Sequence, residues 1–186
     1  MKRLILIHGF DGHPEDHFKK WLKNSLEEKG VVVVEPQISG GRNPKLLVWI
    51  EEIRNAVGVV DENTCVAGHS LGCIALVHFL NTLPEGQKVA GAVFVGGFFS
   101  DIGIPNLKEF YTDEETVKKA KSHSHKFVTI MSDDDQSVPL PKALEFQKAL
   151  DAELILEKNK GHFCAEDGVL ELPSALESVS KILSLS

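Results

Sequence analysis

Gly68-His69-Ser70-Leu71-Gly72 is the stretch on which the reading of this chain turns. It follows the apolar run Cys65-Val66-Ala67 and leads straight into Cys73-Ile74-Ala75-Leu76-Val77-His78-Phe79-Leu80. The pentapeptide fits G-x-S-x-G, in which a buried strand ends, the chain turns sharply at the serine and a helix starts at once. Glycines on either side of the turn let backbone pass backbone without a Cβ clash. A serine so placed stands at the carboxyl edge of a sheet. The first N–H groups of the new helix have no partner within it and face any anion that forms there. A strand at 64–67, a buried helix at 71–83 and a poised hydroxyl at Ser70 are therefore expected.

Outward from that strand, apolar β-rich runs recur at 3–8, 31–35, 89–95, 127–131 and 153–156. Several are almost unbroken in their hydrophobicity, as strands covered on both faces require. Amphipathic segments at 15–29, 45–57, 113–122, 142–150 and 169–185 alternate with them. In the first, Phe18, Trp21, Leu22, Ser25 and Leu26 form one helical stripe among charged neighbours. Gly30 sits where the first helix should stop, Pro44 where the second should start, and Pro139 and Pro141 where the fifth should start. Strict alternation predicts an α/β fold: a mostly parallel six-stranded sheet with helices on both faces, a three-layer sandwich joined by right-handed crossovers. The 186 residues fit a single domain, 1–186, that buries roughly 70% of its unfolded surface. The least regular stretch, 98–125, reads either as a small flap over the carboxyl edge of the sheet or as a surface excursion with one short helix.

Composition excludes several function classes. Apolar residues make up 42% and charged residues 25%, an ordinary balance for a globular protein. A formal charge of −7 argues against a nucleic-acid partner, which needs a basic face. The longest apolar runs are strand-length, so no membrane partner is expected. Met1-Lys2-Arg3 ahead of Leu4-Ile5-Leu6-Ile7 has the look of a signal peptide. The apolar run stops at His8-Gly9, however, with no small-residue cleavage site, and a cytoplasmic protein is expected. Cys65, Cys73 and Cys164 are odd in number, widely spaced and set in apolar surroundings. They are expected as small buried hydrophobes in a reducing compartment, not as a disulfide framework.

A serine at such a turn needs a base to take its proton and an acid to orient that base. In open α/β sheets these groups come from loops after later strands, whose carboxyl ends converge on one crevice. Two loops offer them. Ser132-Asp133-Asp134-Asp135-Gln136-Ser137-Val138-Pro139 follows the strand at 127–131, and Lys160-Gly161-His162-Phe163 follows the strand at 153–156. The resulting chain order is Ser, Asp, His.

With these residues in view, the chain resembles the α/β-hydrolases over nearly its whole length. It is similar in particular to the small, capless serine hydrolases of the YdeN and retinoblastoma-binding-protein type. Those proteins share a G-H-S-x-G elbow, an acidic D-x-x-V/L-P loop and a closing G-H-F, present here as Gly68–Gly72, Asp135–Pro139 and Gly161-His162-Phe163. The resemblance implies a triad of Ser70, Asp135 and His162, with Asp134 as the alternative acid, acting on an ester, amide or related acyl bond. One of the neighbouring aspartates is expected to cap the helix opening at Pro139. Leu71, after the nucleophile, is expected to give one oxyanion-binding N–H. His8-Gly9-Phe10-Asp11-Gly12 is similar to the family's oxyanion loop and implies Phe10 as the second donor.

The remaining candidates carry less chemistry. His8, His13 and His17 with Asp11 and Asp16 form a cluster whose spacing gives no dependable helical ligand pair, so no metal is expected and these are read as loop histidines or substrate contacts. His69 is expected to pack or orient, His78 to be a satisfied core histidine, and His123 and His125 to be solvated. No G-x-G-x-x-G or P-loop pattern occurs, so no cofactor is expected. Phe10, Phe98, Phe99, Phe110, Tyr111 and Phe163 hint at an apolar or aromatic acyl group. The expected partner is a small-molecule acyl substrate. A protein partner is left open, and the rival class is an interaction module on the same fold with little turnover.

Overall fold

The computed structural model describes residues 1–185, and each expected strand is present in it, parallel to its neighbours. β1 (Arg3–Ile7), β2 (Val32–Val34), β3 (Thr64–His69), β4 (Gly91–Val95), β5 (Phe127–Ser132) and β6 (Glu153–Glu157) form a six-stranded sheet in the order β2-β1-β3-β4-β5-β6. The helices are α1 (Lys19–Glu27), α2 (Leu46–Val57), α3 (Leu71–Leu80), α4 (Glu114–Lys119), α5 (Leu140–Leu150) and α6 (Pro173–Ile182). The chain runs outward from β1 to β2, then returns to lay β3 on β1's other side. Such a reversal opens a crevice at the carboxyl ends of the two strands, here those of β1 and β3.

Side chains alternate along a strand, so Leu4 and Leu6 face one layer while Ile5 and Ile7 face the other. Leu4 and Leu6 join Cys65, Val93 and Val128 beneath Leu22 and Leu26 of α1 and Ala175 and Val179 of α6. Ile5, Ile7, Val66 and Phe94 join Trp49 and Ile53 of α2, Ile74 of α3 and Phe146 of α5. Phe146 stacks on Phe94 at a centroid distance of 5.4 Å. Truncating so buried a ring to alanine costs about 3–5 kcal/mol. β3, β4 and β5 are buried along their whole length, which is why their sequences are unbroken apolar runs. β6 is an edge strand paired only with β5, and Leu154 and Leu156 on it are exposed.

The strand bounds match the sequence pattern to within a residue or two, whereas several helix bounds do not. α1 starts at Lys19 rather than at 15, because Glu15 and His17 hold left-handed backbone at φ 63° and 57°. α6 starts at Pro173 rather than at 169, after a 3₁₀ turn at Ala165–Asp167. In the 98–125 stretch, Phe98, Leu107, Phe110, Val117 and Ala120 are buried in the α2–α3 layer. The His78 ring bonds the Phe110 carbonyl oxygen at 2.8 Å, and the Asn81 amide donates to that of Thr116 at 2.9 Å. His123 is buried, not solvated: its ring meets the Gln87 carbonyl oxygen at 3.0 Å beside the bridge that pairs Val89 with Ser124. Cys65 and Cys73 are buried as expected, but Cys164 is half exposed. No helix among the described residues is long and apolar enough to cross a membrane.

Candidate active site

Ser70 follows β3 and precedes α3, with φ 53° and ψ −118°, a conformation that strains any residue carrying a Cβ. Two backbone bonds fix it there: its N–H donates to the Val95 carbonyl at 2.9 Å, and its own carbonyl accepts from Cys73 at 3.0 Å. The flanking glycines are required by close approach. A Cβ on Gly72 would lie 2.5 Å from the Ile7 carbonyl oxygen, and one on Gly68 would lie 2.7 Å from the Cys73 nitrogen. α3 can therefore begin directly against the end of β1.

The Ser70 hydroxyl lies 2.8 Å from His162 Nε2, and His162 Nδ1 lies 2.8 Å from Asp135 Oδ2. The Asp135 and His162 side chains are only 4% and 15% exposed. The other Asp135 oxygen accepts the Ser137 and Val138 N–H groups, both at 2.8 Å, so the carboxylate is held at both ends. Asp134 turns the other way, accepting from the Ser132 hydroxyl at 2.7 Å and from the Gly161 N–H at 2.9 Å. The Ser132 bond, followed by that from Gly161, holds its carboxyl below the usual range. Asp133 accepts from the Asn159 N–H at 2.9 Å. The expectation that one of these aspartates caps the helix after Pro139 is corrected: α5 has no side-chain cap, and Asp133 and Asp134 instead tie the β5 loop to the β6 loop that carries the histidine.

That β6 loop is pinned from a second side. The Asp167 carboxylate accepts from the His162 N–H at 2.9 Å and from the Cys164 N–H at 3.0 Å. It packs so close to Gly161, at φ 51°, that any Cβ there would overlap it. Phe163 is fully buried among α1, α6 and the sheet. His69 Nε2 donates to the His162 carbonyl at 2.8 Å, and its ring lies 5.0 Å from the His162 ring. Burial foremost, then the neighbouring His162, pushes the His69 imidazole well below its ordinary 6.5, so it is a neutral ring with its proton on Nε2. The sequence reading missed Asp167 and Ser132. Gly96 was missed as well; a Cβ there would stand 3.3 Å from His162 Cε1.

The β1 loop supplies the opposite wall. A Cβ on Gly9 would lie 3.1 Å from Ser70 Cβ, so the loop is seated on the serine. Among the described residues, neither the Phe10 nor the Leu71 N–H has an acceptor. His8 anchors the loop: Nδ1–H donates to the Gly9 carbonyl at 2.8 Å, and Nε2 accepts from the Ile38 N–H at 3.1 Å. With both nitrogens engaged, His8 has none to offer a metal, and His13 is drawn outward to Gln37 at 3.1 Å. The ligating atoms that do come within 4.8 Å of one another belong to His17, Cys164 and Glu166. There, however, His17 Nδ1 already accepts the Ala165 N–H, and burial chiefly raises the Cys164 thiol to about 11. A pocket of about 70 Å³ lies over Ser70 and His162, walled by Phe10, His17, Lys19 and His69 among others. Phe10 is the only one of the six expected aromatics on its wall; Phe98, Phe110 and Phe163 are spent in the core, so the hint of an aromatic acyl site is not upheld.

A parallel sheet with Ser70 on a strained turn after β3, and with Asp135 and His162 on the loops after β5 and β6, defines an α/β-hydrolase. The chain belongs to the serine hydrolase family, whose model matches residues 4–181. It is 28% identical to YdeN of Bacillus subtilis (strain 168), over 98% of this chain and 97% of that one. It is 24% identical to serine hydrolase RBBP9 of Rattus norvegicus, over 86% of this chain and 80% of that one. The crystal structure of the B. subtilis ydeN gene product superposes with a TM-score of 0.89 at 27% identity, covering 99% of this chain and all of that one. Est1E from Butyrivibrio proteoclasticus shares the fold, with a TM-score of 0.75 at 18% identity over 98% of this chain and 87% of that one. The protein is a hydrolase.

Proposed function

We propose that this hydrolase cleaves an ester, amide or related acyl bond of a small substrate through Ser70, His162 and Asp135, by way of an acyl-enzyme. The observation that carries this reading is the unbroken chain of bonds from the Ser70 hydroxyl through both nitrogens of His162 to Asp135, each 2.8 Å long. An ionised carboxylate can only accept, so Asp135 fixes the proton on Nδ1 and leaves Nε2 free to take the serine proton. Ser70 Oγ then attacks the acyl carbon. The developing oxyanion takes the free N–H groups of Phe10 and Leu71, a contribution of about 3–4 kcal/mol for a donor in well-studied cases. His162 returns the proton to the leaving group, and a water repeats the cycle to release the acid. No cofactor takes part. The chain acts as one catalytic domain, with the 98–125 segment built into its core layer.

A fluorophosphonate probe tests the reading. Wild-type protein should be labelled at Ser70, and Ser70→Ala should lose both the label and the hydrolysis of activated esters while staying folded. A Ser70→Ala variant that keeps most of its rate would overturn it.

A further inference from the structure

Lys19 opens α1 and is buried to 1% exposure against the 70 Å³ pocket over Ser70. An ammonium has three protons to place. One goes to the Asp16 carbonyl at 2.8 Å, and among the described residues no carboxylate comes within ion-pair distance of it. Glu35 attracts it most strongly from beyond ion-pair distance; one of its oxygens accepts the Glu15 N–H at 2.9 Å, and the other is buried without a hydrogen-bond partner among the described residues. The positive charge is felt at His8, His17 and His69, three imidazoles that burial already disfavours in the charged form. In a chain of net charge −7, no acidic residue among those described lines this pocket, although Asp16, Asp135, Glu166 and Asp167 stand near enough to act on its lining residues His17 and Cys164. A buried cation without a paired anion is costly, and buried charges in folded proteins are as a rule paired.

We propose that the pocket between Lys19 and Ser70 is an anion subsite that receives a carboxylate carried by the substrate close to its scissile acyl bond. This deepens the reading of Ser70 as the nucleophile and rests on it. A space of about 70 Å³ is on the scale of a small polar group such as a carboxylate. The walls offer donors as well: Lys19 has two ammonium protons left to place, and His17, whose Nδ1 accepts the Ala165 N–H, carries its proton on Nε2. Substrates of this class are half-esters of small dicarboxylic acids, or esters whose leaving group is a hydroxy acid.

Two ester pairs test this, each comparing a carboxylate with its neutral carboxamide. Monomethyl succinate against methyl succinamate places the charge on the acyl side; 3-acetoxybenzoate against 3-acetoxybenzamide places it on the leaving side. Wild-type kcat/KM should favour the carboxylate about tenfold or more in at least one pair, mainly through KM, as a charge-assisted bond permits. Lys19→Met should bring that ratio to one or below, whatever the neutral ester's own rate does, and Lys19→Arg should keep part of it. A wild-type ratio at or below one in both pairs, or a ratio that survives Lys19→Met, would overturn the proposal. Should Lys19→Met fail to fold, the wild-type protein still decides: succinate, not succinamide, should slow fluorophosphonate labelling of Ser70 at matched ionic strength. Labelling without such protection sinks the subsite alone. No labelling at all sinks the nucleophile instead, and a succinate-dependent rise in Tm, present or absent, then settles the subsite.

Discussion

Ser70 holds a backbone conformation that costs a side-chain-bearing residue of order 1–3 kcal/mol. Ser70→Gly should therefore be more stable than Ser70→Ala by about 1 kcal/mol in urea unfolding, although both should be inert toward the probe. Equal stabilities would mean that the turn stores no strain. The three adjacent aspartates separate by what they touch. Asp135→Asn removes the acceptor that sets the His162 tautomer and should cost about 10⁴ in kcat, as in a known triad. Asp134→Asn keeps an oxygen for Ser132 and Gly161 and should be mild. Asp134→Ala leaves both donors unpaired and should cost about 1–2 kcal/mol of stability with a smaller rate loss. A full rate loss in Asp134→Asn would move the acid by one residue. The buried histidines set a pH limit on stability. Burial holds His8 and His69 below their ordinary 6.5, so on acidification the unfolded chain takes up protons that the folded one refuses. Stability should be complete above about pH 6.5 and fall as pH drops below it, by up to about 1.4 kcal/mol per pH unit for each such group. A Tm unchanged between pH 7 and pH 5 would show that these rings take up protons in the fold as readily as in the unfolded chain.

At the scale of elements, the loop Lys160–Asp167 decides where the His162 ring stands. Its histidine is held at the N–H by Asp167, at the carbonyl by His69, and through Gly161 by Asp134. Gly161→Ala would drive a methyl into the Asp167 carboxyl, and should lower kcat by orders of magnitude while fluorophosphonate labelling slows in parallel. A fully active Gly161→Ala protein would show that the loop can yield there. The elements themselves were largely legible in the sequence, because strands buried on both faces announce themselves as apolar runs and the elbow fixes the join between β3 and α3. The helix starts were not. Glu15 and His17 are turned into left-handed backbone by contacts such as that from the Glu15 N–H to Glu35, remote in sequence, which no local pattern encodes. For the same reason Lys19 reads as one more charge on an amphipathic helix, and Asp167 as a turn residue. What each does depends on a partner or a pocket assembled only by the fold.

On the scale of the whole molecule, the Ser70 and Asp135–His162 groups come from strands that differ in support. Ser70 rises from β3 in the middle of the sheet, whereas His162 is delivered by β6 at its margin and must reach back across β5 and β4. The margin has one strand neighbour and exposed leucines; the middle is buried throughout. Regions so unequal in contact open with unequal free energies, and the edge should behave as a separate cooperative unit that exchanges its amide hydrogens first. The protein should then pass, on mild heating or in low urea, through a population in which the sheet is intact and Ser70 has lost its contact with His162. Labelling rate should fall before far-UV circular dichroism does, with the β6 amides losing protection ahead of those in β3. Coincident transitions would show a molecule that melts as one piece. If they separate, its working range ends at the stability of its outermost strand.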